Sequence, residues 1–200
     1  MRERLAVGLG ALLPAGLFCY LGSPAEIGAI LLAVTVHELG HVLALWLLGL
    51  RIRRFRLEMR GFCIEYYGEA GALSHALAAL SGPLAGLGWA VATALLGERM
   101  EADWLSLSSG LSLLLSGFNL LPALPLDGGR IVLALSAAFA GKRKGKRITE
   151  ALSLFVGASL LAIGIWLMIG GRGIGMLAAA IWLLLYQENG RGLVNQTEMI

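Results

Sequence analysis

Six apolar stretches divide this sequence, at residues 5–22, 27–50, 72–96, 105–141, 148–170 and 174–186. A helix needs about 20 residues to cross the hydrocarbon core of a bilayer, and most of these stretches have that length. Soluble domains are roughly half apolar and a quarter charged. Here 58% of residues are hydrophobic and 14% charged, so lipid must solvate part of the chain. The fourth stretch is too long for one straight span, and Pro122, Pro125, Gly128 and Gly129 predict a break within it. The last stretch is short and extends by a few flanking residues. The pattern predicts an all-α membrane protein of about six transmembrane helices. One domain is expected over residues 1–190, followed by a short cytoplasmic tail, 191–200. Residues 1–22 have the charged start of a signal peptide, but Pro14 and the lack of a small-x-small cleavage site favour a retained span.

The net charge of +3 does not point to nucleic acid, because the basic residues sit in short runs between the apolar stretches. Thirteen of the 16 Lys and Arg fall on one side if the chain starts inside. They are Arg2 and Arg4, the cluster from Arg51 to Arg60, the run from Lys142 to Arg147, and Arg191. The opposite topology would put the two densest clusters outside, against the positive-inside rule. Both termini are therefore expected in the cytoplasm. Cys19 and Cys63 form no CxxC pair, which argues against a thiolate metal cluster or a disulfide framework.

Between the second and third stretches, Phe55, Leu57 and Met59 alternate with Arg54, Arg56, Glu58 and Arg60. Beyond Gly61, Phe62, Ile64 and Tyr66 alternate again. This period of two predicts a small cytoplasmic, interfacial β-hairpin between helices 2 and 3. Its role is either interfacial anchoring or an edge on which an extended peptide pairs.

The chemistry is concentrated in His37-Glu38-Leu39-Gly40-His41, an HExxH pattern inside the second stretch. Spacing of i and i+4 puts both imidazoles on one helix face, where they can share a zinc ion. Glu38 is placed to reach an attacking water without ligating the metal. Three ionisable groups in lipid are costly, and such groups mark function by default. Catalytic zinc takes three protein ligands and leaves one position open. The third is His75 or a carboxylate. At 1.5 Å per residue, His41 lies about 15 Å from the cytoplasmic end of its helix, His75 about 6 Å deep and Asp127 about 20 Å deep. Depth favours Asp127.

Asp127 stands in Asn119-Leu-Leu-Pro-Ala-Leu-Pro-Leu-Asp127-Gly-Gly-Arg130, where two prolines and two glycines are expected to keep the backbone around the aspartate from regular helix. Unwound backbone at this depth belongs where protein or a wet cavity surrounds it. Arg130 has no role assigned by the sequence, and the tryptophans 89, 104, 166 and 182 include interfacial anchors.

The two motifs together resemble the site-2 protease family of intramembrane zinc metallopeptidases, which pairs HExxH with a later N-x-x-P-x-x-P-x-D-G element. Asn119, Pro122, Pro125, Asp127 and Gly128 match that element position by position. The resemblance implies that His37, His41 and Asp127 bind zinc, that Glu38 is the catalytic base, and that Asn119 lines the substrate site. Ser81-Gly82-Pro83-Leu84-Ala85-Gly86 is similar to the family's GPxxN element, with Gly86 in place of the usual asparagine. In size the chain is most like the compact sporulation-type branch, without its nucleotide-sensing CBS domain. The resemblance implies regulated cleavage of a transmembrane or membrane-associated substrate, such as a sigma-factor precursor, in a bacterial-type cell membrane. A regulatory membrane partner or a homo-oligomer is compatible with it. Two other classes remain open on the residues alone: a metal or proton transporter, and an inactive helix-binding scaffold. The intact Glu38 counts against the scaffold, and the lack of inverted repeats against the transporter.

Overall fold

The computed structural model describes residues 5–7, 23–58, 61–67, 71–171 and 175–193. The chain divides into two compact units, residues 1–120 and 121–200, taken here in turn.

The first unit holds strand β1 (Leu5–Val7), helix α1 (Pro24–Leu47), strands β2 (Arg51–Glu58) and β3 (Gly61–Tyr67), and helices α2 (Ala72–Met100) and α3 (Asp103–Asn119). Helix α1 starts at a capping box. The Ser23 hydroxyl accepts from Glu26 N–H at 3.3 Å, the Glu26 carboxylate accepts from Ser23 N–H at 2.9 Å, and Pro24 occupies the first turn. Strands β2 and β3 pair antiparallel from Arg51↔Tyr67 to Glu58↔Gly61, with a register shift between Ile52 and Arg54. β1 adds to β2 in parallel, Leu5 opposite Phe55 and Val7 opposite Leu57, giving the order β1-β2-β3. This corrects the expected first span at its start: Leu5–Val7 are strand, because a partner some 50 residues away captures them. Residues 8–22 of that span lie outside the described residues.

Helices α1, α2 and α3 pack against one another pairwise. Lipid tails are as apolar as leucine, so helices in a membrane associate through close packing of small residues and not through a hydrophobic drive. The buried faces follow that rule. On α1 every fourth residue is buried, Ala29, Ala33, His37, His41 and Leu45. On α3 a spacing of three, then four and four, buries Leu105, Ser108, Ser112 and Ser116. The α2 face offers Ala78, Ala79, Gly82, Gly86 and Ala90 to them. Large side chains point the other way: Leu31, Leu39, Leu43, Trp46, Leu84 and Leu114 are all exposed.

The second unit holds α4 (Asp127–Ala140), α5 (Lys142–Ile169) and α6 (Gly175–Leu193). α4 and α5 are separated by Gly141 alone, whose φ of 84° favours glycine. Small residues again mark the contacts, and Gly145, Thr149, Ser153 and Gly157 are buried along α5. Ser153 ties three segments together. Its hydroxyl accepts from Leu124 N–H at 2.9 Å and donates to Thr149 O at 2.7 Å, while its carbonyl accepts from Gln187 on α6 at 2.9 Å.

The break in the fourth apolar stretch falls at residues 120–126, and it differs from the expected one. Asp127, Gly128 and Gly129 form the first turn of α4 instead of unwound backbone. The prolines end regular helix upstream. Gly129 serves a close approach: a Cβ there would lie 2.5 Å from Leu124 N and 2.6 Å from Ala123 O.

By length and composition, three described helices can cross a membrane, α1, α2 and α5. This is fewer than the six expected, since the break leaves α3 and α4 at 17 and 14 residues and the apolar part of α6 is the short Gly175–Gln187. The chain is a mostly helical membrane protein.

Candidate metal centre

Because α1 buries every fourth residue, His37 and His41 point the same way toward α2, exposed by 4% and 8%. Their ring centroids are 4.9 Å apart with planes at 80°, and the two Nε2 atoms lie 3.3 Å from each other. Two nitrogens bound to one zinc at about 2.0–2.1 Å with a tetrahedral angle are separated by about 3.3–3.4 Å. The pair already has the bite of a metal site.

The second nitrogen of His41 fixes its tautomer. Ala78 O lies 2.7 Å from Nδ1, and a carbonyl only accepts, so Nδ1 carries the proton and Nε2 keeps its lone pair for a metal. This bond exists because α1 and α2 approach closely. A Cβ on Gly82 would fall inside the His41 ring, and one on Gly40 would come within 2.6 Å of Ser81 O and of Ala85 Cβ. Glycine at 40 and 82 lets the imidazole reach the backbone of the neighbouring helix.

Glu38 is half-buried on α1, beside His37 in sequence. In the second unit, Asp127 is buried as the first residue of α4. The amino end of a helix attracts negative charge, which suits a carboxylate there. Arg130 Nη1 stands 3.7 Å from Asp127 Oδ1, with the arginine side chain about half exposed. At that length and exposure the pair adds little. Within the first unit His37 and His41 are a buried pair that could ligate a metal ion, and Asp127, the expected third ligand, is equally buried within the second. Two imidazoles and a carboxylate suit zinc with one position left open. His75, the other histidine, is exposed in the first turn of α2 and outside this group. Asn119 ends α3 with its amide donating to Leu115 O at 2.9 Å.

The sequence reading missed Gly40 and the Ala78 carbonyl, and named Gly82 only within the GPxxN-like element and not for its contact with His41. Their signal was present as glycines four apart, at 82 and 86, opposite the histidine stripe.

A helical membrane fold carrying a histidine pair of metal-ligand geometry defines a class, the membrane metalloproteins with an HExxH helix. Comparisons with known proteins narrow it. The family model of peptidase family M50 matches residues 98–163, the segment that includes Asn119 to Asp127. The chain is 29% identical over 184 residues to the putative zinc metalloprotease Rip3 of Mycobacterium tuberculosis, covering 85% of this chain and 44% of that one. It is 28% identical over 140 residues to the zinc metalloprotease MJ0392 of Methanocaldococcus jannaschii, covering 66% and 40%. The chain thus spans less than half the length of these curated relatives. Its fold matches the solved site-2 protease from Methanocaldococcus jannaschii with a TM-score of 0.71 and 21% identity, over 94% of this chain and 92% of that one. Over residues 98–163 the chain is similar to peptidase family M50, and its fold is that of a site-2 protease.

Proposed function

We propose that the protein is an intramembrane zinc metalloendopeptidase that cleaves a transmembrane or membrane-associated protein by regulated proteolysis. The observation that carries this is the 3.3 Å separation of the His37 and His41 Nε2 atoms, with His41 Nδ1 bonded to Ala78 O. Asp127 is the third ligand in this reading. Bound zinc supplies a Lewis acid and lowers the pKa of its water toward neutrality.

The remaining work falls to the chain's own residues. Glu38 takes the proton of the attacking water and hands it to the leaving amine. Asn119 hydrogen-bonds the substrate backbone near the scissile bond. A substrate helix has its carbonyls occupied by its own hydrogen bonds and must unwind first. The edge of the β2–β3 pair receives the unwound strand by β-addition.

The topology we propose has six spans, both termini in the cytoplasm of a bacterial-type cell, and the basic runs at 51–60 and 142–147 on that face. The protease domain covers residues 1–190, with 191–200 as its tail. A sigma-factor precursor, as in the sporulation-type branch, is the substrate class this reading suggests, with regulation by a membrane partner or by self-association.

The test uses full-length protein in detergent with candidate single-span substrates. The unaltered chain should hold about one zinc and cleave. Glu38→Gln should abolish cleavage and keep its zinc. Cleavage by Glu38→Gln would remove Glu38 from the base role, and a zinc-free native chain would remove the metalloprotease reading.

A further inference from the structure

Buried hydroxyls in these helices usually satisfy themselves on their own helix. Thr93, Thr149 and Ser153 donate to the carbonyl four residues earlier at 2.8, 2.9 and 2.7 Å. Ser116 does not. It is fully buried on α3, and its hydroxyl has no hydrogen-bond partner among the described residues. The side chain reaches across to α2 at Gly86, where an added Cβ would overlap its Oγ and would lie 3.8 Å from His37 Nδ1. The hydroxyl and the imidazole nitrogen therefore face one point on α2. They share it only because residue 86 is glycine, at the position where the GPxxN element has asparagine.

A histidine that ligates a metal through one ring nitrogen donates its other N–H to an acceptor, which sets the tautomer and the ring orientation. For His41 that acceptor is Ala78 O. We propose that Ser116 performs this task for His37 once a metal is bound, as a positioning residue: its Oγ, not bonded to the ring in this structure, then turns to accept from Nδ1–H and so holds Nε2 unprotonated toward the metal. A hydroxyl has the two lone pairs required, and its own proton stays available to a backbone carbonyl or a water. On this account Gly86 and Ser116 are a pair. The glycine vacates the space in which the serine from the next helix works. The inference rests on the zinc reading of the histidine pair.

The test compares zinc affinity, by competition with a chromophoric chelator, in the full-length native chain and in the Ser116→Ala, Ser112→Ala and His41→Ala variants. Ser112 is the control, since it too is fully buried with a partnerless hydroxyl, one turn away. Ser116→Ala should weaken zinc binding by about 10–100-fold and shift the visible spectrum of the cobalt-substituted protein. Ser112→Ala should do neither. The thermal midpoint of the metal-free Ser116→Ala protein should equal or exceed the native one, because no satisfied bond is lost there. Native-like zinc affinity in Ser116→Ala would overturn the proposal. So would a loss shared equally by Ser112→Ala, or one matched by a lower metal-free midpoint, since either marks a packing effect. Absence of zinc binding in the native chain would instead remove the metal reading, and this inference with it. Loss in His41→Ala alone would keep the metal reading and discard only Ser116.

Discussion

Gly82→Ala adds one methyl group about three helix turns from the start of α2 and should disable the metal site. A Cβ at that position would lie 2.5 Å from His41 Cε1 and 2.7 Å from Cδ2. Carbon atoms pack at about 3.5–4.0 Å, so the ring must retreat by about 1 Å or the helices must part by as much. Metal–ligand distances tolerate about 0.2 Å. The required retreat is several times larger, and His41 leaves the coordination sphere. Moving the ring also breaks the 2.7 Å bond to Ala78 O. Loss of an orienting partner alone costs about 10–100-fold in metal affinity, and loss of a ligand should reach or exceed the upper end. Overpacking of about 1–3 kcal/mol and a lost hydrogen bond of about 0.5–1.5 kcal/mol give a destabilisation of about 2–4 kcal/mol. Chelator competition in detergent reads the first quantity and thermal unfolding of the metal-free protein the second. A Gly82→Ala protein with native zinc affinity would refute the α1–α2 packing described here.

Two further outcomes follow from single residues. Asp127→Ala should bring the zinc content of purified protein near zero by elemental analysis, and full retention would mean that the third ligand lies elsewhere. Glu101, after α2, has a φ of 51°, a conformation that costs a non-glycine residue about 1–2 kcal/mol. Glycine regains this minus about 0.4–1 kcal/mol of added chain entropy, so Glu101→Gly should raise stability by about 0.5 kcal/mol, and a fall in thermal midpoint would contradict it.

Local pattern carried the histidine pair of α1, because the i, i+4 spacing of His37 and His41 is what brings their rings together. The prolines at 122 and 125 likewise announced a break in the fourth stretch. The glycines beside Asp127 misled, since Gly129 is there to admit the backbone of residues 123–124 and not to unwind the helix. Leu5–Val7 misled for a different reason. Three apolar residues read equally as the start of a span or as a strand, and only their pairing with Phe55–Leu57 decides. Long-range pairing leaves no periodicity to read. Ser153, which holds Leu124 and Gln187 together, was illegible for the same reason.

The packing and the chemistry of the first unit have one cause. A bundle in lipid gains its stability from backbone proximity, so α1, α2 and α3 meet through alanine, serine and glycine. That proximity brings Ala78 O within reach of an imidazole on another helix, and brings a serine from a third helix against Gly86. A wider bundle stitched by leucine would keep the HExxH spacing and lose both partners. The site is therefore oriented by the same residues that hold the helices together. Substitutions that add volume at 40, 82 or 86 should weaken metal binding and stability together, whereas Glu38→Gln should leave both intact and remove only the chemistry.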